Sequence, residues 1–115
     1  MAQTNKILAL LENYTNDNSV AIGKEIANDF KRRRIEKDIT RRMMAEKSGV
    51  AESNISRFEQ QGLVSLKNLI DLAMALGYTS EIRHIFSEPK YSTMEELLQI
   101  RRNMKKKRAK QNGKD

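Results

Sequence analysis

The chain of 115 residues contains no cysteine, no tryptophan, one proline and five glycines. Without cysteine it has no disulfide and no thiolate metal site, and its single histidine cannot supply the four ligands of a structural zinc site. Few prolines and glycines mean few sharp turns, which favours helices over many short strands. No apolar run approaches the roughly 18 residues of a membrane span, and the apolar stretch at residues 7–11 is too short for a secretory signal. The sequence therefore predicts no metal, no cofactor and no membrane segment.

The positive charge is distributed unevenly along the chain. Residues 101–115 hold eight basic residues and one acid, which equals the whole net charge of +7, whereas residues 1–100 are balanced. The basic tail comprises Arg101, Arg102, Lys105, Lys106, Lys107, Arg108 and Lys110, with Lys114 near the end. A second excess lies at residues 31–42, where seven basic residues stand against two acids. Such clusters are either solvated surface or phosphate-binding surface, because clustered cations release counterions from a polyanion.

Apolar residues recur at helical spacing along most of the chain. They predict helices over residues 5–14, 20–37, 40–48, 51–61, 65–76 and 79–86, and a last helix that begins at Ser92 or Thr93 and frays after residue 104. Ser19, Thr40 and Ser65 are the expected N-caps. The expected core-facing residues are Ile22, Ile26, Ala27 and Phe30 in the second helix, and Leu66, Leu69, Ile70, Ala73 and Leu76 in the fifth. No segment alternates like a strand and no repeat is visible, so the predicted fold class is all-α.

Residues 40–58 have the spacing of a helix-turn-helix. Small Ala45 lies mid-way along the first helix, Gly49 follows four residues later, and Ile55 comes six residues after the glycine. The small residue lets the second helix cross closely, and the glycine permits the left-handed turn between the helices. Met44, Val50, Ile55 and Phe58 are the expected apolar contacts.

The chain resembles the Xre/Cro type of lambda-repressor-like DNA-binding domains. The resemblance covers residues 22–77 and rests on Ile26, Phe30 and Arg34, followed by ITRRMMAEKSGV, SNISRFE and SLKNLIDLAMALG. It implies a bundle of four to five helices that binds double-stranded DNA and regulates transcription. Two positions depart from the family pattern: Arg41 stands where glutamine is usual, and Ser48 stands where an apolar residue is usual.

Helical phase, at about 100° per residue, places Ala51, Ile55 and Phe58 on the core side of the second helix and polar residues on the opposite side. The resemblance implies that the early positions of this helix contact base edges. These positions are Glu52, Ser53, Asn54 and Arg57, and their side chains match the donors and acceptors of cytosine, adenine and guanine. Phosphate contacts are expected from Thr40, Arg41, Arg42, Ser56 and Gln60. The alternative is a polar face that is merely solvated.

Two further expectations concern structure and chemistry. The resemblance implies an internal salt bridge between Arg34 and Glu59, which would serve the scaffold and not DNA. His84 is expected to be a surface or interface residue without a chemical role. Because the sequence shows no catalytic triad, Cys/His pair or glycine-rich phosphate loop, it indicates that the protein is not an enzyme.

Residues 85–111, IFSEPKYSTMEELLQIRRNMKKKRAKQ, carry a second resemblance, to antitoxins of the HipB type. It implies a protein that represses its own operon and binds a HipA-like kinase toxin. The Xre resemblance implies a cytoplasmic, nucleoid-associated homodimer on a palindromic operator. A stand-alone phage or plasmid-type repressor and a protein-interaction scaffold with the same fold remain as alternatives.

The predicted organisation has four parts. Residues 1–19 form an N-terminal helix and linker, and residues 20–86 form the DNA-binding domain. Residues 87–104 form a linker, which contains the only proline, and a C-terminal helix, and residues 105–115 form a basic, disordered tail.

Overall fold

A computed structural model describes residue 7 and residues 17–112, with side chains described up to residue 109. The helices in residues 17–112 are α1 (Ser19–Glu36), α2 (Arg41–Ser48), α3 (Glu52–Gln61), α4 (Leu66–Ala75), α5 (Thr79–Arg83) and α6 (Met94–Asn112). These residues contain no strand, so the all-α prediction is confirmed. The helix predicted over residues 5–14 lies, except for residue 7, outside the described residues. The chain divides into two compact units, Met1–Ile82 and Arg83–Asp115.

Side-chain caps set the starts of α1, α2 and α4. Thr40 and Ser65 accept hydrogen bonds from backbone N–H groups three residues later, each at 3.1 Å, which satisfies one of the free donors of α2 and α4. The cap of α1 is Asn18, whose side chain accepts from Ala21 N at 2.9 Å. The expected cap, Ser19, is instead the first helical residue. Asparagine and serine cap equally well, so sequence preference alone does not separate two adjacent candidates.

Among residues 17–82, eight apolar residues are buried and form the core of the first unit. They are Ala27, Phe30, Met44, Val50, Ile55, Phe58, Leu72 and Leu76. Helix α3 packs against α1 and α2, and α2 also packs against α4. The rings of Phe30 and Phe58 meet with their centroids 5.4 Å apart, which joins α1 to α3 at the centre of this core.

The buried stripe of α1 differs from the apolar pattern of its sequence. Ile22 and Ile26 are exposed by 42% and 46%, so their prediction as core residues was wrong. The side of α1 that faces the bundle carries Gly23 and the buried Ala27, Phe30 and Arg34. Three of these four residues are small or charged. The pattern of large apolar residues therefore points to the adjacent side of the helix, which carries Ile22 and Ile26.

A close backbone contact explains why α1 needs a glycine. A Cβ added to Gly23 would lie 2.9 Å from the carbonyl oxygen of Gly62, and one added to Gly62 would lie 2.7 Å from the backbone of Gly23. Gly62 also has a φ of +71°, which ends α3 in the left-handed conformation. The two glycines thus let the C-terminus of α3 touch α1 directly.

The buried face of α4 is rotated from its predicted position. Leu66 is 70% exposed, whereas Leu72, which the predicted stripe omitted, is completely buried together with Leu76. Helix α4 is apolar over most of its circumference, so several stripes fit its sequence equally well. Packing against α2 selects the one that contains Leu72.

Helix α6 dominates the second unit. Thr93 caps it by accepting from Glu96 N at 3.1 Å, and the Glu96 carboxylate accepts from Ser92 N at 2.9 Å. The helix continues to Asn112, whereas the sequence predicted fraying after residue 104 and a disordered segment from residue 105. Residues 105–112 contain only lysine, arginine, alanine, glutamine and asparagine, most of which favour helix, and no glycine or proline ends it.

Helix α5 is shorter than the segment predicted for it. It ends at Arg83, and Ile85 and Phe86, which were expected to lie within it, follow its last residue. The side chain of Phe86 is 91% exposed. With five residues, α5 offers too few backbone hydrogen bonds to extend itself without packing partners.

Candidate nucleic-acid interface

Helices α2 and α3 are held at a fixed crossing by a tight turn and the buried residues on either side of it. Gly49 ends α2 with a φ of +77°, the conformation that its predicted role requires. Val50, in the turn, and Ile55, in α3, are almost or completely buried, and Met44 of α2 is completely buried. Ala51 does not join this core, as helical phase had suggested, because it precedes α3 as its N-cap and is exposed.

The opposite face of α3 is polar and free of internal bonds. The side chains of Glu52, Ser53, Asn54 and Arg57, and of Gln60 one turn further, are exposed. Within residues 17–109, none of these five side chains makes a hydrogen bond or ion pair with another part of the protein. Their donors and acceptors are therefore available to a partner. Ser56 is partly buried at the edge of this face.

The start of α4 lies beside this polar face. An open pocket of about 350 Å³ is lined by Asn54, Arg57, Leu63, Val64, Ser65 and Asn68. Sequence reasoning did not select the last four of these residues. Ser65 was predicted as a helix cap, but only the fold shows that the turn from α3 returns this cap to the side of Arg57.

Glu59, on the inner side of α3, holds two arginines. Arg34 donates from Nε to Glu59 Oε2 at 2.8 Å and from Nη2 to Oε1 at 2.9 Å, and a third donor, Nη1, bonds the carbonyl of Ile39 at 2.8 Å. The side chains of Arg34 and Glu59 are only 8% and 1% exposed. Both carboxylate oxygens of Glu59 thus accept a hydrogen bond from Arg34, and this two-point ion pair fixes α3 to α1.

Arg41 is the second arginine on Glu59. Its Nε lies 3.2 Å from Glu59 Oε1, and its side chain is 32% exposed. Within the described residues its two terminal nitrogens make no hydrogen bond. Two arginines around one carboxylate leave a net positive charge at the start of α2, where the helix dipole is also positive. This location suits an anion.

The other two residues predicted to contact phosphate at the start of α2 are accessible. Thr40 is exposed, and although its oxygen accepts from Met43 N, its hydroxyl proton remains a donor. Arg42 is 82% exposed and pairs only at 4.0 Å with Glu46. With Arg41, these residues form one group at the N-terminus of α2.

Most of the basic cluster at residues 31–42 is paired within the protein. Arg32 pairs with Asp29, and Arg33 pairs with Glu36 at 3.0 Å. Lys37 donates to the carbonyl oxygen of Leu76 at 2.8 Å, beyond the end of α4. The cluster is thus largely a set of structural contacts, and its phosphate-binding potential is concentrated at Arg41 and Arg42.

The described residues offer no metal centre and no membrane span. No group of three or more histidine, cysteine, aspartate or glutamate residues among them could hold an ion. None of their helices is long and apolar enough to cross a membrane.

Residues 30–83 match a family model described as helix-turn-helix. This match includes the second half of α1, the α2–turn–α3 unit and helices α4 and α5. Residues 30–83 are a helix-turn-helix domain of the Xre and lambda-repressor type. No curated protein matches the chain significantly.

Helix α3 is the recognition helix of this domain, and α2 is the helix that precedes it. The family consists of DNA-binding transcriptional regulators and is generally non-enzymatic. The match thus supports DNA binding and transcriptional regulation of the Xre type for the domain at residues 30–83.

Proposed function

We propose that the protein is a sequence-specific repressor that binds, as a homodimer, a palindromic operator in its own promoter. The observation that carries this proposal is the exposed polar face of α3, whose side chains make no hydrogen bond or ion pair within residues 17–109, while the opposite face anchors the helix in the core. A recognition helix of this kind enters the major groove and presents its N-terminal residues to base edges.

Four residues are assigned to base contacts in this proposal: Glu52, Ser53, Asn54 and Arg57. Arg57 has the geometry to donate two hydrogen bonds to guanine, and Asn54, which lines the same pocket, suits adenine. Thr40, Arg41 and Arg42 at the start of α2, with Ser56 and Gln60 on α3, contact phosphates and fix the register. Glu59 supports this arrangement by holding Arg41 through its Nε and leaving both terminal nitrogens for phosphate.

Footprinting on the DNA upstream of the gene tests the proposal. Arg57→Ala is expected to weaken specific binding by roughly 1–3 kcal/mol and to relax discrimination at one base pair of each half-site. Arg57→Lys is the matched control, because it keeps the charge and loses the bidentate geometry. It should relax discrimination at the same base pair. An unchanged footprint with both variants would overturn the assignment of Arg57.

We further propose that the repressor is itself an antitoxin of the HipB type, and that its second partner is a kinase-like toxin. The resemblance of residues 85–111 to those antitoxins supports this step. Co-expression with the neighbouring gene and purification through the regulator should then recover a toxin complex. If the protein represses its promoter without such a partner, the phage or plasmid-type repressor is correct. Failure to bind the promoter at moderate salt would identify the fold as a protein-interaction scaffold.

A further inference from the structure

The C-terminal half of helix α6, residues 101–112, carries seven basic residues and no acid. Every described residue from 101 to 109 is exposed, and no acidic residue occurs between residue 97 and residue 114. The two acids of the helix, Glu95 and Glu96, lie in its first turn, where they favour the helix dipole. The C-terminal half of α6 is therefore a rod of like charges that no side chain of that half neutralises.

The cations are not distributed evenly around this rod. At about 100° per residue, five of them lie within an arc of about 160°, over about 10 Å of helix length. This cationic stripe consists of Arg101, Arg102, Lys105, Lys106 and Arg108. Lys110 falls about 40° beyond one edge of the arc, and Lys107 falls about 100° beyond it, next to the stripe of Leu97, Ile100 and Met104. Only a helix produces this separation, because a disordered tail presents all its charges in every direction.

We propose that the cationic stripe of α6 binds the phosphate backbone of double-stranded DNA, as a second contact that does not depend on base sequence. This inference deepens the proposed function and rests on it, since the DNA-binding domain of the same chain supplies the duplex. Duplex DNA carries one negative charge per about 1.7 Å of axis, so a stripe about 10 Å long faces several phosphates at once.

The composition of α6 favours duplex DNA over single-stranded nucleic acid. Helix α6 contains no phenylalanine, tyrosine or tryptophan. Single-stranded nucleic acid is normally bound by stacking its bases on aromatic rings. Helices that lie on membranes also use leucine, which α6 contains, so a membrane is distinguished from DNA by the experiment below. Charge without aromatic residues matches a partner that is recognised through its phosphates alone.

The test compares two lysines that differ only in helical phase. In the full chain, Lys105→Gln removes a charge from the centre of the stripe, and Lys107→Gln removes one outside it. Affinity for two duplexes, the upstream DNA and an unrelated sequence of equal length, is measured between 50 and 200 mM salt. Lys105→Gln should lower the salt slope by about 0.9 on both duplexes, which reduces the change in affinity over this range about threefold to fourfold. Lys107→Gln should leave the slope unchanged.

Two results would overturn the proposal. Equal slopes for both variants and the unaltered protein mean that α6 contacts something other than DNA, and binding to vesicles containing phosphatidylserine then identifies a membrane. Equal losses for both variants mean that the charge acts without a defined helical face. Circular dichroism of each variant establishes that the helix is retained. The unrelated duplex separates this test from the proposed function, because a failure of operator recognition would leave the salt slope on nonspecific DNA measurable.

Discussion

Two regions of this chain are rich in basic residues but differ in how those residues are paired. In residues 31–42, most of the arginines and lysines pair with carboxylates or carbonyl oxygens, and Arg34 is almost completely buried. In residues 101–109, the cations are exposed on a helix whose second half has no acid. The formal charge of a segment therefore does not measure its capacity to bind a polyanion. That capacity depends on the charge that internal pairing leaves accessible, which includes the terminal nitrogens of Arg41, the exposed side chains of Arg42 and Arg57, and the cations of α6.

Loss of the Glu59 carboxylate should have the largest effect on the paired region. Glu59→Ala leaves the buried Arg34 without its counter-charge, and we expect the free energy of unfolding to fall by about 3–5 kcal/mol. Urea denaturation measures this loss. The control is Glu46→Ala, which removes a 73% exposed carboxylate from a pair at 4.0 Å and should change stability by less than about 0.5 kcal/mol.

A double variant sharpens the same prediction. Arg34→Met combined with Glu59→Leu removes both charges, so no buried ion is left unpaired, and the loss should be smaller than for Glu59→Ala. Similar stabilities for Glu59→Ala and Glu46→Ala would show that Glu59 is not the buried partner described above.

The contact between α1 and the end of α4 should have a moderate effect. Lys37→Met keeps the length of the side chain and removes the charged donor to Leu76 O. Because Lys37 is exposed apart from this contact, we expect a loss of about 1 kcal/mol in the free energy of unfolding. Lys31→Met, which changes an exposed residue within α1, is the control. Equal losses of unfolding free energy in the two variants would mean that the bond from Lys37 to Leu76 does not stabilise the protein.

The smallest effect on stability should come from Arg42. Arg42→Gln removes an 82% exposed cation and should change the free energy of unfolding by less than about 0.5 kcal/mol, while lowering the salt slope of DNA binding by about 0.9. Arg32→Gln removes a cation that is 59% exposed but lies on α1, and its salt slope should not change. If the two variants lowered the slope equally, the distinction between α1 and the start of α2 would fail.

The amphipathic pattern predicted correctly where the helices of residues 17–112 lie, but it predicted less well which face of each helix is buried. Helix α2 begins after Thr40 and ends before Gly49 as expected, because capping and left-handed turns depend on local chemistry. In α1 the buried face is made of Gly23, Ala27, Phe30 and Arg34, and the large apolar Ile22 and Ile26 remain exposed. A close helix crossing and a buried ion pair select small and charged residues, which a count of apolar residues does not detect.

For the candidate site, the sequence supplied the residue types and the fold supplied their grouping. Arg57 and Asn54 were selected from the family resemblance together with helical phase, but Ser65 and Asn68 joined them only through the path of the chain between α3 and α4. Arg41 was selected as a cation, and its attachment to Glu59 appeared only when α2 and α3 were brought together.

The sequence by itself determined the helical fold class, the helix-turn-helix spacing and the segregation of charge to residues 101–115, because each depends on residues that are close in the chain. Tertiary structure decided which cations remain available. A carboxylate 25 residues away neutralises Arg34, and a carbonyl 39 residues away binds Lys37. The family resemblance implied the Arg34–Glu59 pair, whereas nothing in the sequence indicated the bond from Lys37, because that bond depends on how the helices pack.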